Sequence, residues 1–110
     1  MATRDTFHCE LEQSEDGQRN RVTTVKCHGK LVSDTAGKLK EVVKGLIPQG
    51  GRIVVDLHDV NYLDSSGLGA LVGLKASAVN QGLCILEFAN MTPRILELLR
   101  VTRLTQLFSS

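Results

Sequence analysis

Residues 53–69 read IVVDLHDVNYLDSSGLG, and this stretch decides the fold. Its first five residues are almost wholly apolar, which is typical of a strand that is buried on both faces in the middle of a parallel sheet. Residues 66–81 predict an apolar helix, and Gly82 is a typical residue just beyond a helix end. The stretch therefore predicts a central strand, a polar junction and a helix.

Upstream of this stretch, the pattern predicts a β-hairpin. Phe7, Cys9 and Leu11 alternate with polar residues, as in a strand that has one solvated face. The β-branched run within residues 21–28 suits a second strand, and the polar turn at residues 14–18 contains the glycine that a tight connection needs.

A helix is predicted next, over residues 35–47, because apolar side chains recur there at intervals of three and four. Ser33 or Asp34 is the expected N-cap, and the Pro-Gln-Gly-Gly run that follows ends the helix.

Downstream, residues 83–88 predict another strand. Thr92 and Pro93 open a third helix, with threonine as the cap and proline at the first helical position. The order strand, strand, helix, strand, helix, strand, helix implies parallel pairing with right-handed crossovers in its later part. We therefore predict an α/β fold, a mixed sheet of about four to five strands with an N-terminal hairpin and helices packed on it, as a single domain over residues 1–110.

Composition narrows the class of function. The chain has 110 residues, a formal net charge of +1 and 4% aromatic residues. This balance argues against a nucleic-acid binder, which usually has a basic excess and aromatic stacking platforms. No apolar run approaches the roughly 18 residues of a membrane span, and the first ten residues lack a signal-peptide pattern. We therefore expect a cytoplasmic protein without a membrane partner.

The cysteines give no sign of a metal or cofactor site. Cys9, Cys27 and Cys84 are far apart in the sequence and form no C-x-x-C pair. We interpret them as small hydrophobic residues buried in strands, and we expect no cofactor.

The junction itself carries Asp64, Ser65 and Ser66 at the start of a helix. A helix N-terminus has unsatisfied N–H groups and a partial positive charge. A serine there can cap the helix, or it can be phosphorylated and have its phosphate stabilised by the same N–H groups. Local sequence favours capping and leaves both alternatives open.

The predicted helix contains three glycines, Gly67, Gly69 and Gly73. Their presence needs an explanation, because each glycine within a helix lowers its stability by up to about 1 kcal/mol relative to alanine. Tight packing on the protein's own sheet and docking of a partner explain them equally well. Their spacing does not match the dinucleotide fingerprint G-x-G-x-x-G.

A serine hydrolase is a poor match to the junction. The G-x-S-x-G elbow is absent around Ser65 and Ser66. His8, His28 and His58 lie in or beside strands with no catalytic motif around them, and we interpret them as hydrogen-bonded or solvent-facing.

Residues 64–69, DSSGLG, placed after an apolar strand, closely resemble the motif of bacterial anti-sigma factor antagonists, the STAS domain. The resemblance extends along nearly the whole chain. Gly29-Lys30-Leu31 with Thr35-Ala36 looks like the G-x-L segment of the family and the helix after it, and Thr92-Pro93 with Leu104 looks like its C-terminal part.

The resemblance implies a partner-switching protein of transcription regulation and not an enzyme. In this family the unmodified protein binds an anti-sigma factor, a serine kinase of the histidine-kinase-like ATPase fold. Phosphorylation releases the complex, and a serine phosphatase resets it. The resemblance implies Ser65 as the phosphoacceptor, with Ser66 as the alternative or in a capping role. The residues it implies for partner binding are Val32, Asp34, Asn61, Asp64, Ser66, Gly67 and Leu68.

Two positions depart from the family pattern. Val32 stands where many members carry an acidic residue, and Arg103 stands where a glycine is common. The main alternative function is a constitutive STAS scaffold, a subunit of a larger regulatory or lipid-transport complex, in which Ser65 is only a helix cap. A small hydrolase using Ser65 or Ser66 is the third.

Overall fold

The computed structural model describes residues 7–18 and 20–103. Leu104, which belongs to the C-terminal part of the resemblance, lies outside these residues. The elements follow the predicted order, and the strands are β1 (Phe7–Glu15), β2 (Arg21–Leu31), β3 (Gly51–Leu63) and β4 (Cys84–Ala89). The helices are α1 (Ala36–Leu46), α2 (Ser65–Gln81) and α3 (Pro93–Val101), with a 3₁₀ turn at Ile47–Gln49 after α1.

The four strands form one mixed sheet in the order β1-β2-β3-β4. β1 pairs with β2 in antiparallel fashion, which confirms the hairpin, and both β2/β3 and β3/β4 are parallel. β3 is therefore an interior strand, as its apolar run predicts. The predicted fold class is confirmed, with four strands.

The core lies between the sheet and the helices. Right-handed crossovers from β2 to β3 and from β3 to β4 place α1 and α2 on the same face of the sheet. The strand residues that alternate towards this face are buried, and they include Val25, Ile53, Val55 and Leu57. On the opposite face, side chains such as Lys26 and Asp56 are only half-buried.

The ends of two helices match the sequence signals. Thr92 caps α3, since its hydroxyl oxygen accepts a hydrogen bond from the N–H of Ile95 at 3.3 Å. Gly82 ends α2 with a left-handed φ of 67°. Both predictions are confirmed because each depends only on residues within one turn of the helix end.

The predicted cap of α1 is wrong. The N-cap is Thr35 and not Ser33 or Asp34, which are exposed in the preceding loop. The hydroxyl of Thr35 donates to the carbonyl oxygen of Lys30 at 2.6 Å and accepts from the N–H of Val32 at 2.9 Å. Thr35 therefore closes the tight loop between β2 and α1 with its side chain, a loop geometry that cap preferences alone do not contain.

In the part of the chain that the structure describes, no helix is long and apolar enough to cross a membrane.

Candidate functional site

The junction between β3 and α2 lies at the carboxyl edge of the parallel strands. β2 and β3 end side by side there, with Leu31 paired to Leu63. The loop that leaves β2 and the N-terminus of α2 therefore meet at one edge of the sheet, which is where ligands of open α/β sheets usually bind.

Asp64 holds the start of α2. Its backbone is extended, with φ −109° and ψ −172°, and its carboxylate accepts a hydrogen bond from the N–H of Gly67 at 2.9 Å. Its own N–H donates to the carbonyl oxygen of Leu31 at 3.4 Å, and its carbonyl oxygen accepts from Leu68 at 2.9 Å. The expectation that a serine caps this helix is therefore wrong, because the aspartate occupies the N-cap.

Ser65 and Ser66 are the first two residues of α2, and both are exposed. Within residues 7–18 and 20–103, neither of their N–H groups has a protein acceptor. The N-terminus of α2 therefore carries two exposed serines whose N–H groups have no acceptor among the described residues. The positive end of the helix dipole lies at the same place.

Gly67 explains why the two elements fit so closely. An ideal Cβ at Gly67 would lie 2.1 Å from the carbonyl oxygen of Leu31, a distance that real Cβ atoms do not reach. Gly69 and Gly73 differ, since an added Cβ would meet nothing within 4 Å and both residues are exposed. The two explanations for the glycines therefore separate: Gly67 packs on the protein's own sheet, whereas Gly69 and Gly73 leave a smooth exposed strip along α2.

Of the residues predicted for partner binding, most are exposed or half-buried at this edge of the sheet, and two are buried. Val32 is half-buried and directly follows Leu31, beside the start of α2, and Asp34 is exposed in the same loop. Asn61 is exposed near the end of β3. Gly67 and Leu68 are buried, so they do not belong to the exposed surface of this edge.

Asn61 lies in a shallow groove between the end of β3 and the start of α3. Tyr62, Thr92 and Arg94 line the same groove. Sequence reasoning missed Tyr62 and Arg94 as surface residues of this edge. The regular alternation of strand residues fails here because the pairing of β2 with β3 shifts register between Gly29 and Lys30, so both Asn61 and Tyr62 are exposed.

His28 lies within β2 and pairs with Asp59 of β3, whereas Ser65 and Ser66 lie beyond the end of β3. Nδ1 of His28 lies 2.6 Å from a carboxylate oxygen of Asp59, and Nε2 lies 2.9 Å from one of Glu10. The hydrogen bond to Asp59, reinforced by Glu10, raises the pKa of His28 above its usual range. Both ring nitrogens are thus engaged by carboxylates, which leaves neither to act as a base for Ser65 or Ser66.

No group of three or more His, Cys, Asp and Glu residues within the described ranges is arranged to hold a metal ion.

Comparison of the sequence with known proteins identifies a family that it matches. The family model described as "Mlab, STAS domain" matches residues 14–109. An anti-sigma-B factor antagonist of Staphylococcus aureus is 35% identical over 94 residues, covering 84% of this chain and 86% of the relative. One from Bacillus subtilis is 34% identical over 80 residues, covering 73% and 72%.

Solved structures share the fold at lower identity. An anti-sigma factor antagonist from Mycobacterium paratuberculosis superposes with a TM-score of 0.75 and 21% identity, covering 99% of this chain and 88% of that one. The phosphorylated form of the Bacillus cell fate determinant SpoIIAA gives a TM-score of 0.63 and 15% identity, covering 90% and 88%.

Proposed function

The chain belongs to the STAS domain family, and on this premise we propose that it is an anti-sigma factor antagonist whose partner binding is switched off by phosphorylation of Ser65. The curated relatives at 34–35% identity carry the antagonist name, which supports the first half of the proposal. The geometry of the α2 N-terminus supports the second half.

The observation that carries the switch is the division of labour between Asp64 and the serines. Because the carboxylate of Asp64 caps α2, the hydroxyls of Ser65 and Ser66 are not needed to hold the helix. An exposed hydroxyl at a helix start is open to a kinase. The free N–H groups beside it can then solvate the phosphate, so the modified state stays folded.

The charge of a phosphate is large enough for a useful switch. Phosphorylation adds about −1.5 to −2 charge at neutral pH. A partner carboxylate about 6 Å away, at an effective dielectric near 40, is repelled by about 2–3 kcal/mol. This corresponds to roughly 30- to 150-fold in affinity. Asp64 already makes the edge acidic, so it acts in the same direction.

The docking surface in this proposal is the exposed edge around the α2 N-terminus. It comprises Asp34, Asn61, Ser65 and Ser66, with the exposed strip of Gly69 and Gly73 beside it. A partner backbone can approach such a strip closely because no side chain stands in the way. We propose as its partner an anti-sigma factor with serine kinase activity and the histidine-kinase-like ATPase fold, with a serine phosphatase that reverses the modification.

Val32 determines where the loop between β2 and α1 can carry negative charge in this proposal. It occupies a position that is often acidic in the family, and its half-buried side chain adds no charge beside the serines. The acidic group of the loop is Asp34 instead, which is exposed two residues further on. The partner's contacts to this loop should therefore depend on Asp34, and Asp34→Asn should weaken binding more than Val32→Ala.

The first test is intact mass and phosphopeptide mapping of the protein purified from its native cells, with and without phosphatase treatment. We expect a phosphate-sized increase in mass that maps to Ser65 and disappears after phosphatase. A phosphate on Ser66 would move the switch by one residue. Its repeated absence under starvation and stress would favour the constitutive scaffold.

The second test compares two matched variants, Ser65→Asp and Ser66→Asp, in binding to the cognate anti-sigma factor by calorimetry. A single negative charge at Ser65 should weaken binding by about 10-fold, by the same Coulomb estimate. Ser65→Ala should bind normally and resist modification. Unchanged affinity of Ser65→Asp would contradict the switch, and equal losses for both variants would show that charge at this edge matters without selecting Ser65.

A further inference from the structure

Cys9 and Cys27, which are 18 positions apart in the sequence, lie directly opposite each other in the pairing of β1 with β2. Residues paired in this way project from the same face of a sheet. The Sγ of Cys27 also donates to the carbonyl oxygen of Val25 at 3.8 Å. Opposed residues of antiparallel strands have Cα separations of about 4.5–5.5 Å, which lie within the range of about 4.4–6.8 Å that a disulfide spans. All three cysteines of the chain are free thiols.

The two thiols differ in access and in acidity. Cys9 is half-buried on the edge strand, and the hydrogen bond from Cys27 lowers the pKa of its thiol. Burial opposes this shift, while the positive charges of His28 and Lys38 add to it. Cys27 is only 1% exposed, and its bond to Cys9 together with burial raises the pKa of its thiol. The pair thus combines a partly accessible thiol whose pKa is lowered with a buried thiol directly opposite it.

We propose that Cys9 and Cys27 form a redox-responsive pair that hydrogen peroxide converts into an intrachain disulfide. The Cys9 thiolate attacks one peroxide oxygen, the O–O bond breaks, and hydroxide leaves and takes up a proton to become water. Cys9 is thereby oxidised to a sulfenic acid while the peroxide is reduced. The Cys27 sulfur then attacks the Cys9 sulfur, and the sulfenic hydroxyl leaves with the Cys27 proton as a second water.

The disulfide would tie the edge strand β1 to β2. It is independent of Ser65, because neither cysteine belongs to the loop or helix at the α2 N-terminus. Cys84 offers a matched control within the same chain. It is half-buried like Cys9, but it lies on β4, at the opposite edge of the sheet from β1.

The test treats the reduced full-length chain with hydrogen peroxide, blocks the remaining thiols with N-ethylmaleimide and measures intact mass and peptide masses without reductant. We expect the loss of two of the three alkylatable thiols, a mass lower by two hydrogens before blocking, and a linked peptide pair containing Cys9 and Cys27. Alkylation of both residues, a linkage through Cys84 or between chains, or oxidation of Cys9 past the sulfenic acid would overturn the proposal.

Single variants assign the roles of the two thiols. Cys27→Ser should accumulate a sulfenic acid at Cys9 that dimedone traps, because the resolving thiol is gone. Cys9→Ser should show no label at Cys27, and Cys84→Ser should form the disulfide as the natural sequence does. In the natural sequence, equal rates of alkylation of Cys9 and Cys84 by N-ethylmaleimide would show that the pair gives Cys9 no special reactivity.

Discussion

Gly67→Ala should destabilise the protein through a single contact at the candidate site. The added Cβ would lie 2.1 Å from the carbonyl oxygen of Leu31, 2.9 Å from its carbonyl carbon and 3.2 Å from its Cγ. The first two atoms are backbone and cannot rotate away. To reach the 3.4 Å at which ordinary contact begins, the oxygen and the Cβ must separate by a further 1.3 Å, so α2 has to lift off the end of β2.

The magnitude follows from what this movement breaks. Overpacking of this kind costs about 1–3 kcal/mol. The movement also strains the bond between Asp64 and the N–H of Gly67, and loss of an N-cap costs about 1 kcal/mol. Alanine returns about 1 kcal/mol through its better helix propensity. The free energy of unfolding should therefore fall by about 1–3 kcal/mol, which lowers the melting temperature of a chain this size by about 4–13 °C.

Gly69→Ala is the matched control, two residues along the same helix. Its Cβ would meet nothing within 4 Å, so only the helix propensity changes and stability should rise by up to about 1 kcal/mol. Urea denaturation followed by circular dichroism measures both variants. The two substitutions should have opposite signs. A Gly67→Ala variant as stable as the unmodified chain would refute the reasoning, because the close approach of α2 to Leu31 would then not exist in solution.

Three further outcomes can be checked in the same denaturation assay. Asp64→Ala removes the N-cap of α2 and should lower the free energy of unfolding by about 0.5–2 kcal/mol. Asp64→Ser should lower it by less, because serine can also cap a helix. An unchanged free energy of unfolding in Asp64→Ala would mean that the cap bond adds nothing to stability. The raised pKa of His28, caused by its hydrogen bond to Asp59 and by Glu10, means that the folded state favours the protonated ring. Its contribution to stability is therefore fully present below the ordinary histidine pKa of about 6.5 and is lost as the pH rises through the higher folded value. The stability lost between about pH 6 and pH 9 should be smaller in His28→Gln, and an identical pH profile would contradict this assignment. Arg103→Gly should raise stability by up to about 1 kcal/mol, because Arg103 has φ 62° just after the end of α3, where glycine avoids the cost of a left-handed residue; a loss of stability would contradict it.

Local signals in the sequence are enough for most of the fold. The alternation of Phe7 and Cys9 in β1, the apolar run of β3, the cap at Thr92 and the stop at Gly82 each depend on residues within a few positions of one another. The same alternation predicts that Leu11 is buried, and this part is wrong, because Leu11 is exposed on the edge strand. Signals of this range lie within one segment of the chain, so the elements and their order can be predicted from the sequence. The family motif at residues 64–69 is equally local.

The candidate site needed the tertiary structure, because its details depend on how distant segments pack. Local sequence favours a serine as the cap of α2, whereas Asp64 occupies the N-cap and donates its own N–H to the carbonyl oxygen of Leu31. The same contact explains Gly67, whereas Gly69 has the same sequence signal but an added Cβ there would meet nothing within 4 Å among the described residues. Whether a position requires glycine depends on the atoms packed against it, and the local sequence does not contain that information.

Periodicity, caps and short motifs are local, so the α/β class, the order of the elements and the family motif can all be predicted from the sequence. The tertiary structure alone decided that Cys9 faces Cys27 and that His28 lies between Glu10 and Asp59. Both facts depend on strand register, which is fixed by the packing of the whole sheet on its helices. A shift by one residue would turn each of these side chains to the other face of the sheet.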